Sequence, residues 1–315
     1  MNPYEELLLR HCTMSNDVMV LTAENRGHMR TVPPMLGERF IDVGIAEQTM
    51  IGMAAGMAVR GRTVVTHALA AFITMRAYEF IRDDVGIPNA SVLMVGMVPG
   101  ILSDGNGPTH QAIEDVAIMR GIPNVGVFCP TDIDEFVEGM DYLITDGKPC
   151  YVRYIGLPPV FKHTEPFIPG LAEVIHSTSD HQVDVTILTY GFMARIAVTL
   201  VPLLEAKDLR VRVVNMRTLK PVDEQRIITE ARNTNLLVTL EDHLQTGGLF
   251  SIVGEVLLHN HIQDHAPVMP IALPTWFRPG RLQEVLAYEG LNAVALAARI
   301  ETFLTTISMK VSVHE

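Results

Sequence analysis

Cysteine is scarce. The 315 residues hold three, Cys12, Cys129 and Cys150, with no Cys-x-x-Cys pair. That odd, scattered set excludes a disulfide framework and a cysteine zinc site, and it fits a reduced, cytoplasmic location. Basic charge is short as well: 24 Lys and Arg face 36 Asp and Glu, a net charge of −12. Such a chain lacks the positive footprint that neutralises phosphates, so nucleic acid is not an expected partner. No apolar run approaches the ~18–20 residues that span a bilayer; the stretch from Met50 to Val59 is short and interrupted by Gly52 and Gly56. Glu5 and Glu6 stand where an export signal would be basic. Missing too are a GxxxxGK(S/T) phosphate loop, a GxSxG nucleophile elbow and an HExxH zinc pair. His259, His261 and His265 are too irregular for a metal site and Asp83-Asp84 reads as a solvated helix face, so no metal ligands are expected.

What is abundant is apolar surface. Hydrophobic residues make up 48% and charged residues only 19%, enough for a large core with some left over for an interface. At roughly 150 residues per domain, the length suggests two domains. Short β-branched runs alternate with helical patterns: strands at 18–22, 39–43, 62–68, 91–95, 125–129 and 150–154, and helices at 46–60, 72–85, 110–119 and 132–145. Asp132 with Glu135 three residues on is a helix-start signal. Pro158, Pro159, Pro166 and Pro169 then break any regular element, and the alternation resumes from Val183 to Thr306. The expected fold is α/β, two domains with mainly parallel sheets flanked by helices, bounded as 1–157, a Pro-rich linker 158–180, and 181–315.

In such sheets ligands bind beyond the carboxyl ends of strands. Three strand ends stand out. At Asp42-Val43-Gly44-Ile45-Ala46-Glu47-Gln48 a strand runs into a helix, with Glu47 in its first turn. The carboxylate either complements the helix dipole or is presented to a ligand nitrogen. Gly52 and Gly56 in that helix ask for close approach of a second helix, within the chain or across a subunit interface. The loop Gly96 to Gln111 holds four glycines before Thr109, with Asp104, Asn106 and His110; loops this long in compact domains are usually functional. His110 is placed at a helix start, where a neutral imidazole can exchange a proton near neutrality. Arg153 closes the last strand of the first domain, either facing an anionic ligand or pairing at the domain junction.

At these residues the chain resembles the transketolase family of thiamine-diphosphate enzymes, in its pyrimidine-binding and C-terminal domains. Asp-Val-Gly-Ile-Ala-Glu-Gln, Gly-Pro-Thr-His-Gln, Ala-Ile-Met-Arg-Gly-Ile-Pro-Asn, Thr218-Leu-Lys-Pro221, Glu241-Asp-His243 and Gly247-Gly248 follow in the family order. The resemblance implies that Glu47 bonds N1′ of the cofactor aminopyrimidine and favours its imino tautomer, that Phe72 stacks on that ring, and that Arg76 and Glu24 lie beside it. It implies that His110 contacts the reacting oxygens of a substrate, that Asp104 and Asn106 lie along the substrate, and that Arg153 holds a substrate phosphate. The family's Gly-Asp-Gly…Asn segment for the diphosphate and Mg²⁺ is not in this sequence. The resemblance therefore implies a partner subunit carrying that domain, an α₂β₂ assembly, and two-carbon ketol transfer from a phosphorylated or otherwise anionic ketose to an aldehyde.

Departures from the pattern point to non-standard substrates. Gly105-Asn106-Gly107 replaces Glu-Asp-Gly, Val98 or Met97 stands where the loop usually opens with histidine, and Pro3-Tyr4 lies near the place of a phosphate-gripping arginine. The competing readings are a 2-oxo acid dehydrogenase β-like subunit passing its product to a carrier protein, and a non-catalytic regulatory paralogue.

Overall fold

β-Branched and apolar runs become two sheets because each is too hydrophobic to leave either face in water. The computed structural model describes residues 1–312. In chain order the strands are β1 (Val18–Thr22), β2 (Phe40–Asp42), β3 (Thr63–Leu69), β4 (Val92–Met97), β5 (Gly126–Phe128), β6 (Cys150–Arg153), β7 (Glu173–Ser177), β8 (Val183–Thr189), β9 (Val211–Asn215), β10 (Thr218–Lys220), β11 (Thr234–Leu244) and β12 (Val268–Leu273). The first sheet runs β10-β5-β6-β4-β3-β1-β2 and the second β12-β11-β8-β9-β7. Both are parallel except at one edge, where β10 lies antiparallel to β5 and β7 antiparallel to β9. All six residues of β4 are buried. On it, Gly96 leaves room for Tyr151 and the Ala70 backbone, which a Cβ would meet at 2.8 and 3.1 Å.

The expected strands and most helices are present, with differences that have physical causes. The helix predicted over 132–145 is Ile133–Asp146; Asp132 caps it by accepting from the Asp134 and Glu135 N–H groups, both at 3.0 Å. The helix predicted over 72–85 is instead Ala70–Met75, Tyr78–Phe80 and a π-turn Ile81–Gly86. The helix predicted over 110–119 is helical only at Asp115–Arg120. His110 ends a three-residue 3-10 turn, Pro108–His110, and Ala112 is bridged to Gly100. That bridge holds the chain extended where local pattern favours a helix, so the helix-dipole argument for His110 does not apply.

The domain boundaries also shift. Residues 156–170 are the extended, proline-bearing connection expected, but β7 lies inside the 158–180 span and belongs to the second sheet. More consequential is β10: Thr218–Lys220, from the C-terminal half, completes the edge of the first sheet. A capped N-terminal helix, Pro3–Met14, is also present, with Asn2 and Glu5 forming a capping box. Local pattern showed neither. No helix is long and apolar enough to cross a membrane among the described residues, and the three cysteines are free and buried.

Candidate functional site

The carboxyl ends of β1, β2 and β3 open on one edge of the first sheet. There Asp42 organises the turn that follows β2. Its carboxylate accepts the Gly44 N–H at 3.0 Å and the Glu24 N–H at 3.1 Å, and it pairs with Arg26. Partial burial pushes the Asp42 carboxyl up, but those hydrogen bonds and the guanidinium outweigh it and hold it below the ordinary range. The fixed turn delivers Glu47 as the first residue of the helix Glu47–Val59.

Glu47 is only 2% exposed. Arg76 reaches its two oxygens from Nη1 at 3.2 and 3.3 Å. The same guanidinium lies 3.7 Å from the centroid of the Phe72 ring, a cation–π contact. Phe72 in turn meets the His110 ring edge-on, with centroids 4.9 Å apart. Residues from three separate segments thus form one continuous line, Glu47–Arg76–Phe72–His110. This grouping is the main result of folding for the site. His110 also contacts the Thr109 hydroxyl, Nδ1 to Oγ1 at 2.9 Å.

The other expected site residues fall in different places. Glu24 is exposed at the end of β1, in the left-handed region with φ +52°, on the same sheet edge as Asp42. Asp104 turns its carboxylate back onto the Gly105 N–H at 2.7 Å, and Asn106 is exposed beside it. On the segments that carry Glu47 and Arg76, Ile45, Met53 and Met75 are exposed. Gly56 faces open space, whereas Gly52 approaches the Phe80 side chain. One glycine therefore serves an intrachain contact, and the other leaves a bare surface farther along the helix that begins at Glu47.

Arg153 makes the junction pairing that the sequence left open beside an anion-facing role. It is 1% exposed, with Nε 2.9 Å from Asp115 and Nη1 2.8 Å from Asp242. Tyr151 donates to the same Asp115 at 2.7 Å. The guanidinium, clamped between two buried carboxylates, joins the domains. Within the Glu241-Asp242-His243 motif, Asp242 and His243 reach across that junction and Glu241 bonds within its own domain. Glu241 accepts the Leu249 and Phe250 N–H groups at 2.7 and 3.1 Å, and burial pushes its carboxyl up to about 7. The His243 ring accepts the Ala117 N–H at 3.3 Å.

A second polar cluster escaped sequence reading because its members are far apart in the chain. Glu135, His163 and Glu173 come close enough together to hold a metal ion. Protons and arginine already occupy that arrangement: His163 sits between Glu173 at 2.7 Å and Asp132 at 3.0 Å, while Arg217 pairs with Glu135 and Glu173. Burial opposes the charge on His163, yet its two carboxylate partners push it up to about 10. A histidine with a raised folded-state value stabilises most below its unfolded value, near 6.5, and loses that contribution as pH rises through about 10. The melting temperature should therefore fall more steeply between pH 7 and 10 in the wild type than in His163→Gln. Parallel slopes would rule out the imidazolium clamp.

Residues 6–155 match the family "Transketolase, pyrimidine binding domain", and residues 176–296 match "Transketolase, C-terminal domain". The 6-deoxy-6-sulfo-D-fructose transketolase subunit SqwH of Clostridium sp. strain MSTE9 is 33% identical over 261 residues, spanning 82% of this chain and 80% of that protein. An apulose-4-phosphate transketolase subunit of Actinobacillus succinogenes strain 130Z is 31% identical over 222 residues, 70% of each chain. Among solved structures, a split gene transketolase described as an inactive beta4 tetramer superposes with a TM-score of 0.83 at 32% identity, covering 96% of this chain and 97% of that one. With both domain matches in order and the Glu47, Phe72 and His110 positions gathered on one sheet edge, this chain belongs to the transketolase family.

Proposed function

We propose that this chain is the smaller subunit of a split, thiamine-diphosphate-dependent transketolase in the cytoplasm. It moves a two-carbon ketol unit from an anionic ketose to an aldehyde. The observation that carries this reading is the line Glu47–Arg76–Phe72–His110. An aminopyrimidine needs a carboxylate for its ring nitrogen and an aromatic face to lie against. Buried Glu47 and half-buried Phe72 supply both on one edge of the chain, so the residues fit the group. Bound thiamine diphosphate supplies the nucleophilic carbon and the electron sink for carbon–carbon cleavage. Glu47 holds the ring nitrogen and its proton, Arg76 fixes the Glu47 carboxylate and the Phe72 ring together, and His110 faces the substrate oxygens as a proton donor and acceptor. Glu24 lies at the rim beside the partner.

The diphosphate and Mg²⁺ belong to the partner subunit in this reading. The exposed apolar residues Ile45, Met53 and Met75, on the segments that carry Glu47 and Arg76, are a surface such a subunit would cover, giving an α₂β₂ enzyme. The named relatives act on a sulfonated ketose and on a sugar phosphate, which favours ketol transfer over acyl transfer to a carrier protein. They support a donor with an anionic tail, met by a site in which Asn106 and Val98 replace the usual polar groups.

The test is co-expression with a partner carrying the missing cofactor domain. Calorimetry with thiamine diphosphate and Mg²⁺ should show saturable binding in the complex and none to this chain alone. Ketol transfer should appear with sulfonated or phosphorylated ketoses. Binding by the lone chain, or a complex inert toward every anionic ketose, would sink the reading.

A further inference from the structure

The loop that carries His110 is held by both domains. Within its own domain the ring meets Thr109 and Phe72. On either side of it, the loop is fastened to the C-terminal domain. The Ile101 N–H donates to Asp242 at 3.4 Å, the Gly280 N–H donates to the Asp104 carbonyl at 3.0 Å, and the Leu244 N–H donates to the Ile113 carbonyl at 2.8 Å. Gly100, at φ +57°, admits the Asp242 carboxylate where any Cβ would overlap it.

The central fastening is Gln111, the residue after His110. Its side chain is fully buried. Nε2 donates to the Phe277 carbonyl at 2.6 Å, and Oε1 accepts the Phe277 N–H at 3.2 Å. A primary amide presents one donor and one acceptor side by side, as a neighbouring strand would, so it satisfies both main-chain groups of Phe277 at once. Leucine satisfies neither, glutamate only the N–H, and asparagine is one methylene short.

We infer that Gln111 is a positioning residue: through its amide pair with Phe277, the C-terminal domain sets where His110 stands over Phe72. The inference rests on the reading that His110 faces the substrate. It assigns the C-terminal domain a part in substrate turnover through the main chain of Phe277.

The experiment compares wild type, Gln111→Leu and Gln111→Glu, each assembled with the partner subunit. Displacing a reacting group by about an ångström costs on the order of 100-fold. In Gln111→Leu, kcat/KM for the ketose should therefore fall by about 10- to 100-fold, and thiamine diphosphate affinity should stay within about twofold of wild type. Carbethoxylation of His110, followed by mass spectrometry of its peptide, should speed up several-fold. Gln111→Glu, which keeps the bond from the Phe277 N–H, should fall between. A folded Gln111→Leu enzyme with unchanged kcat/KM and unchanged His110 reactivity overturns the inference, as does a parallel loss of cofactor affinity. Should Gln111→Leu fail to fold, Gln111→Glu carries the same readouts. If wild type shows no ketol transfer, the proposed function fails, while His110 reactivity still decides the positioning role.

Discussion

Glu47→Gln should lower ketol-transfer turnover of the assembled enzyme by about 10²- to 10⁴-fold, the range a positioned proton-transfer group contributes. The substitution keeps the shape of the side chain and one acceptor for Arg76, so the helix Glu47–Val59 should start in the same place. What it removes is the negative charge that draws the aminopyrimidine proton. Stability should change little, because the neutral amide keeps the volume and one acceptor for Arg76 and no longer needs a carboxylate charge held out of water. Glu47→Asp retracts the carboxylate by one methylene and should be intermediate. Turnover measured beside the melting temperature separates the two effects. Retention of more than about a tenth of wild-type turnover in Glu47→Gln would reduce Glu47 to a carboxylate that merely complements a helix dipole.

Arg153→Met should be the most destabilising single change at the domain junction. Asp115, Asp242 and Arg153 are all essentially withdrawn from solvent, and burial already pushes the Asp242 carboxyl up against the opposing pull of Arg153. Removing the guanidinium leaves two buried carboxylates facing one another, and one oxygen of Asp115 has no hydrogen-bond partner even in the intact cluster. Breaking a buried pair by deleting one partner typically costs ~3–5 kcal/mol, so the urea midpoint should drop steeply. Arg153→Lys should not rescue it, since an ammonium cannot reach both carboxylates with a planar fork. A phosphate-gripping arginine would behave oppositely: its loss would raise KM for an anionic ketose and leave the urea midpoint in place. The same pair of measurements therefore separates the two roles that sequence alone left open for Arg153.

The outcome for Arg153 shows where sequence reading stops. A strand end followed by a turn is a local signal, and Glu47 at the start of its helix was legible from seven consecutive residues. Phe72 and Arg76, one helical turn apart, entered only through the family resemblance, and the helix is broken beyond Met75. His110 was found through its glycine-rich loop, but its conformation was misread. Gln111 reaches a backbone 166 positions away, and that contact overrides local helical preference. His163 gave no signal because its partners come from the first domain and from β7.

The sequence by itself determined the two-domain α/β plan, the proline-bearing connection, the family, and the candidates on the first sheet's edge. Each of these rests on periodicity, turn chemistry or motif order, which are encoded within a few tens of residues. Only the tertiary structure decided that β10 crosses into the first sheet, that Arg153 pairs with buried carboxylates of both domains, and that the C-terminal domain grips the loop bearing His110. Those facts depend on which charges and main-chain groups lose water together. Groups distant in sequence must then find one another to be satisfied, and no local pattern records that requirement.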